Sequence, residues 1–377
     1  MNALTAGLGS ACERILIRGV NWLGDAVMTT PAIQRLREAC PDSHISLLTH
    51  EKLRDLWEAH PHIDRVETFA SGEGVGSIAR RLKSGNHDLG VTFPNSPRTA
   101  LELWRADIPL RVGYRASWRR WLLTDAVSRS GEVVHMRKRS EAEIRRLIDG
   151  SGADAAPAIP AASHHIHHYL RLVAAIGASP EPVAPLIEVP EGAVAEFREA
   201  FLPESVSVAR WLGLNPGAEY GPAKRWPARR FIEAAVRMSR EVGCGWIVFG
   251  AKGDRETEAI AAEIAAQCAT GQVLCLVGRT TLAQLCAGLR VCDAVLTNDS
   301  GPMHVAAALG TPVVVPFGST SIELTGPGLP GDSTHRLLSA EAPCAPCFLR
   351  ECPVDFRCME GISVERVVGA LNEVLAD

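Results

Sequence analysis

The 377-residue sequence has no uninterrupted apolar stretch of membrane-spanning length, no overall surplus of basic charge and no convincing Asp-x-Asp pair. Crossing a bilayer as a helix takes about 20 consecutive apolar residues, so a membrane-spanning protein is not expected. The net charge is −4, which does not point to nucleic acid, and nothing in the chain matches a nucleic-acid-binding module. The missing Asp-x-Asp removes the usual chelator of a divalent ion beside a diphosphate. Residues 1–12 have neither a basic start nor an apolar core, so they read as a loose extension and no export signal is expected. A reducing cytoplasm is then the default, and the eleven cysteines are not expected to form disulfides.

What is present is an alternation of short apolar runs with helical periodicity. Apolar content of 46% and charged content of 22% suit an ordinary globular chain, and the length suits two domains. Residues 14–18, 44–49, 66–69 and 89–93 read as strands, with helical patterns at 26–39, 51–60 and 78–82 between them. This repeated β–α order argues for a parallel, doubly wound sheet. Pro31 interrupts the helical pattern at 26–39. Either Thr30 caps a helix there, or a helix starts near Asp25 and bends. Asp25 lies in the first strand-to-helix loop with Asn21, Trp22 and Gly24, where it can serve as a general base or merely as an N-cap.

Residues 98–146 carry twelve Arg and Lys against six Asp and Glu, with Trp104, Trp118 and Trp121 interleaved. Such a run suits an anionic acceptor, an acidic lipid surface or nucleic acid, or is simply a solvated basic face. Residues 150–160 read as a loop. His164, His165, His167 and His168 crowd the start of the next helical stretch, where only an i, i+4 pair is expected to face together, too little for a metal site. Prolines 180, 182, 185 and 190 mark a linker and place a domain boundary near residue 190.

The second half restarts the alternation, with strands at 211–214, 246–249, 273–277, 294–296 and 313–315. Three loops, 215–227, 250–254 and 297–301, leave the carboxyl ends of strands and are expected to converge on one ligand. The last opens a helix, whose free N–H groups suit phosphate, and Lys224 and Arg225 supply cations. The alternative for Asp299 and Ser300 is plain helix capping. Cys344, Cys347, Cys352 and Cys358 crowd the end. They can hold a structural zinc tetrahedrally or remain thiols, and their spacing is not that of a standard finger.

Taken together, GVNWLGDAVM at 19–28, NPGAEYGPAKRWP at 215–227 and TNDSGPMHVAA at 297–307 closely resemble bacterial heptosyltransferases of glycosyltransferase family 9, in family order and over residues 14–375. The resemblance implies an α/β GT-B architecture of two Rossmann-like domains facing a cleft. Residues 1–190 would bind the acceptor, 191–355 the nucleotide sugar, and 356–377 would form a closing helix. It implies inverting transfer of L-glycero-D-manno-heptose from ADP-heptose to the inner-core heptose of lipopolysaccharide. Asp25 matches the base and Lys224 the diphosphate-binding lysine. Asp299, Ser300, Gly301 and His304 match the donor loop. Gly217 and Glu219 accompany them, and Asp254 matches more loosely. Asn21, Trp22, Asn95, Ser96, Arg115 and Arg120 are the candidate acceptor contacts. No metal is expected in catalysis. The expected partners are ADP-heptose, a lipid A–core acceptor and, peripherally, the inner face of the cytoplasmic membrane, with no nucleic acid. A family 9 transferase of another sugar, a two-domain nucleotide-sugar epimerase and a non-catalytic assembly scaffold are the alternatives. Products formed with and without acceptor separate them.

Overall fold

The computed structural model describes residues 12–128, 134, 136–150, 159–202, 206 and 208–376. The amino-terminal extension up to residue 11, most of the loop read at 150–160, and Arg129 and Glu132 of the basic run lie outside them. The chain divides into two compact units: residues 1–133 with 162–188, and residues 134–161 with 189–377. The main crossing falls where the prolines cluster. In addition, residues 134–161 belong to the second unit, an excursion that composition does not signal. The basic run is therefore shared between two bodies.

The first unit holds six parallel strands: β1 (Arg14–Arg18), β2 (His44–His50), β3 (Arg65–Phe69), β4 (Leu89–Thr92), β5 (Leu110–Tyr114) and β6 (Asp125–Val127). Their spatial order is β3-β2-β1-β4-β5-β6. The order reverses between β1 and β4, which pair in register Ile15 to Leu89 through Arg18 to Thr92. Apolar side chains pack this sheet on both faces, which explains near-continuous apolar strands such as Ile15-Leu16-Ile17, all fully buried. A buried ion pair between Arg18 and Glu102, 2.8 Å apart, ties the helix Pro97–Arg105 to the end of β1. Arg98 adds a second contact to the same carboxylate at 3.0 Å.

The helical pattern at 26–39 resolves into two helices, Leu23–Met28 and Thr30–Ala39. Thr29 ends the first and precedes the second, so the start near Asp25 and the break before Pro31 both occur. Pro31 stands in the opening turn of the second helix, where its missing N–H removes no intrahelical bond.

The second unit repeats the plan with β7 (Trp211–Asn215), β8 (Gly245–Val248), β9 (Val273–Cys275), β10 (Ala294–Thr297), β11 (Val313–Phe317) and β12 (Arg336–Ser339). The order is β12-β11-β10-β7-β8-β9, so the reversal lies between β7 and β10. Read from β7 onward this is the first unit's topology again. Beneath the sheet a large core joins Trp226, Phe231 and Trp246 to the closing helix Val364–Ala376 through Val367, Val368 and Leu371. Thr281 and Gln284 form a capping box that opens the helix Leu282–Val291. Among the described residues no helix is long and apolar enough to cross a membrane.

In an open parallel sheet two loops diverge at the strand-order reversal and leave a crevice beyond the carboxyl ends of the strands. In the first unit those loops carry residues 19–25 and 93–96. In the second they carry 215–227 and 298–301.

Candidate active site

In the second unit the two crevice loops are stitched together by side chains. The Asn215 amide donates to Thr297 Oγ1 and to Ser300 Oγ, each at 3.2 Å. Asn298, fully buried, accepts from the Trp226 N–H at 2.9 Å and donates to the Pro216 carbonyl at 2.5 Å. One asparagine thus holds both ends of the 216–226 loop. Trp226 anchors the far end by donating from its indole to the Ile362 carbonyl at 2.9 Å.

Within this frame Lys224 Nζ lies 2.6 Å from Asp299 Oδ2, and the pair is largely buried. Thr320, just past β11, donates its hydroxyl to the same carboxylate oxygen. The lysine also stands 5.0 Å from the centre of the Tyr220 ring. A cation, a hydroxyl and the amino-terminal end of the helix Gly301–Ala308 therefore meet at one place; Pro302 has no N–H and Met303 donates to the Ser300 carbonyl, so the opening N–H there is that of Gly301. Ser300 occupies the N-cap position but makes no capping bond, its hydroxyl being committed to Asn215. Capping alone does not account for the Asp299-Ser300 pair. His304 lies in the first turn of this helix and is buried.

Asp254 caps the helix Arg255–Gln267, accepting from Thr257 N at 3.2 Å and from Thr257 Oγ1 at 2.8 Å. It also bounds the first loop, because a Cβ on Gly217 would lie 2.9 Å from Asp254 Oδ2. The three loops expected to converge do so. Glu219 is exposed.

The cysteine-rich segment turns out to buttress this site. The Tyr220 hydroxyl donates to the Phe348 carbonyl at 2.7 Å, and Ala223 N donates to the Arg350 carbonyl at 2.9 Å. Gly221 has φ +152°, and a Cβ there would lie 2.5 Å from the Arg350 carbonyl oxygen. Gly221→Ala is accordingly expected to push the Lys224 loop off its support. Nucleotide affinity should fall, with a lowered melting temperature; calorimetric titration with ADP and a thermal melt check this.

Cys344, Cys347, Cys352 and Cys358 line one small apolar hollow with Ile144, from the excursion helix Glu141–Ile148. Among the described residues no group of three or more His, Cys, Asp and Glu is arranged to hold a metal. The hollow disfavours thiolates: burial pushes the Cys358 thiol up to about 12 and raises those of Cys344 and Cys347. Cys352 instead accepts from the Phe356 N–H at 3.4 Å. The segment's visible work is to shape the 220–224 loop.

In the first unit Asp25 is the third residue of the helix Leu23–Met28, not its cap. Trp22 holds the cap position and makes no side-chain capping bond. Negative charge in a first turn is favoured by the helix's free N–H groups. His165 Nδ1 approaches Asp25 Oδ1 to 3.8 Å. Tyr169 is buried beside them, and burial together with the nearby Asp25 raises its pKa.

Asn95 donates its amide to His168 Nε2 at 3.4 Å, and its buried Oδ1 has no hydrogen-bond partner. A buried acceptor left unsatisfied is uncommon and fits a site awaiting a hydroxyl. Ser96 caps the helix Pro97–Arg105 through Thr99 N, 3.3 Å away. Asn21, Trp22, Arg115 and Arg120 are exposed. Lys52 covers the Trp22 ring at 5.6 Å, and Arg120 the Trp121 ring at 4.2 Å. The histidine run takes a different form from the i, i+4 pair. His164 caps the helix His165–Ala174, so the side chains that meet are His165 and His168, one turn apart with ring centres 5.6 Å from each other.

The basic run is not a single face. Arg119 is buried and donates to the Pro94 carbonyl at 2.8 Å. Arg111 donates to the Leu122 and Ile108 carbonyls. In the second unit Arg137 and Arg145 pair with Glu143 and Glu141. Trp118 and Trp121 are 71% and 73% exposed on the first unit.

Two Rossmann-like units, each a six-stranded parallel sheet, are the architecture of the GT-B glycosyltransferases. The model of glycosyltransferase family 9 (heptosyltransferase) matches residues 75–356, and the chain belongs to this family and is a glycosyltransferase. It is 34% identical to lipooligosaccharide heptosyltransferase 2 of Campylobacter jejuni, over 96% of this chain and 98% of that protein. It is 32% identical to lipopolysaccharide heptosyltransferase 2 of Salmonella typhimurium, over 83% of this chain and 85% of that one. The solved E. coli ADP-heptose LPS heptosyltransferase II superposes with a TM-score of 0.74 at 26% identity, covering 96% of this chain and 98% of that one.

Proposed function

We propose that this chain is a heptosyltransferase II. It would transfer L-glycero-D-manno-heptose from ADP-heptose to the inner-core heptose of a lipid A–core acceptor, with inversion at the anomeric carbon. The observation that carries this reading is the Lys224–Asp299 pair at the mouth of the helix Gly301–Ala308. A diphosphate arriving there would take Lys224 from Asp299 and accept from the Gly301 N–H that opens the helix. Asp25 would accept the proton of the attacking acceptor hydroxyl. As that O–H bond breaks, the oxygen bonds to the anomeric carbon, and the bond to the diphosphate leaves with its electron pair on ADP.

The departing charge is met by a lysine and backbone dipoles, so we propose transfer without a divalent ion. Asp254, bonded to Thr257, shapes the donor loop at Gly217. Asn95 and the α-helical histidines beside it offer polar contacts to the acceptor sugar. Exposed Trp118 and Trp121 with Arg115 and Arg120 suit the interface of an anionic bilayer and support a peripheral position at the cytoplasmic membrane.

The test is incubation with ADP-heptose and a heptosylated core acceptor, read by mass. Addition of one heptose, undiminished by a chelator, is the expected result. Release of ADP and free heptose without acceptor modification would refute the transfer. Turnover with another nucleotide sugar only would reassign the donor.

A further inference from the structure

The proton transfer and donor binding proposed above assign no step to the histidine run at 164–168. We infer that His165 is the positioning residue for Asp25: its Nδ1–H holds one carboxylate oxygen so that the other faces the acceptor hydroxyl. The inference rests on the reading of Asp25 as the base.

Its ground is geometric. The first residue of the helix His165–Ala174 is placed 3.8 Å from Asp25, and the two side chains are 24% and 32% exposed, so a ligand can reach both. That separation exceeds a hydrogen bond, as contacts of catalytic groups often do before substrate closes on them. The imidazole is not loose. It stacks on Tyr169, with ring centres 5.2 Å apart and 25° between planes. It also contacts His168, which stacks on Tyr114 at 4.2 Å and 24°. The Tyr114 hydroxyl donates to the His168 carbonyl at 2.6 Å, and Asn95 donates to His168 Nε2. A ladder of rings thus runs from β5 to Asp25, tied on the way to the Asn95 amide whose oxygen is unsatisfied.

Tyr169 and His168 lie beside the pair. Charges on the neighbouring helix Thr30–Ala39 are engaged elsewhere: Arg35 with Glu38 and the Glu181 carbonyl, Arg37 with Asp64. On the helix itself Arg171 donates to the Ala162 carbonyl.

The experiment compares wild type, His165→Ala, His165→Asn and Asp25→Asn by steady-state kinetics across pH, each first checked for an unchanged melting curve. His165→Ala is expected to lower kcat about 10- to 100-fold, the loss typical of a misoriented catalytic group, with the KM for ADP-heptose within about twofold. A carboxylate deprived of a hydrogen-bond donor ionises less readily, so the acid limb of the profile should move to higher pH. His165→Asn keeps an N–H donor and should recover most of kcat and the original limb. An unmoved limb in His165→Ala, or an equal defect in both His165 variants, overturns the inference. If that happens while Asp25→Asn is inactive, the base assignment stands. Activity in Asp25→Asn overturns both.

Discussion

Asp25→Ala is expected to abolish most transfer, lowering kcat by about 10²- to 10⁴-fold, the range a positioned general base contributes. The protein should stay folded. Asp25 is not the N-cap of its helix and is only half-buried, so its removal deprives the helix of no capping bond. Binding of ADP should be unchanged, because the nucleotide loops are in the other unit and are held by their own bonds through Asn215 and Asn298. Paired measurement of kcat and of the ADP dissociation constant checks this. Retained turnover would remove Asp25 from the chemistry, and lost ADP binding would show that its role is not confined to proton transfer.

Lys224→Met carries the second large effect, and it is twofold. Donor affinity should fall, because a diphosphate loses its cation. Stability should fall too. Asp299 is only 4% exposed, and without the lysine its charge keeps only the Thr320 hydroxyl among the partners described above. Breaking a buried pair from one side costs about 3–5 kcal/mol. Removing the second charge as well, in Lys224→Met/Asp299→Asn, should recover most of the stability but none of the ADP-heptose affinity. Chemical denaturation and donor titration of the three proteins separate the two effects. A single variant as stable as wild type would mean that Asp299 is not held by Lys224 in solution.

Much of the site could be read in advance because its chemistry is local. Lys224, Asp299 and Ser300 lie in loops framed by glycine and proline between apolar runs, and residue type and spacing mark such loops. The Asp254 turn was visible in the same way, although its bonds to Thr257 give it a capping role that spacing alone could not weigh. What escaped depends on partners distant in the chain. Thr320 reaches Asp299 from beyond β11, and Tyr220 and Ala223 lean on a segment some 130 residues later. The histidine run was plain, yet which two rings face together turned on where the helix begins. His164 as cap rather than first helical residue shifts the pairing by one position.

The sequence by itself determined the β–α alternation of both halves, the α/β class and the loops at the carboxyl ends of the strands, because alternating apolar runs and turn residues are set by neighbours a few positions away; strand order, and the strands β5, β6 and β12, came from the structure. Only the tertiary structure decided that residues 134–161 join the second unit, that the basic run is divided and partly buried, and that Lys224 rests on Asp299 while His165 approaches Asp25. Those outcomes depend on which surfaces exclude water together. That is a property of the packed whole, and no short window of sequence contains it.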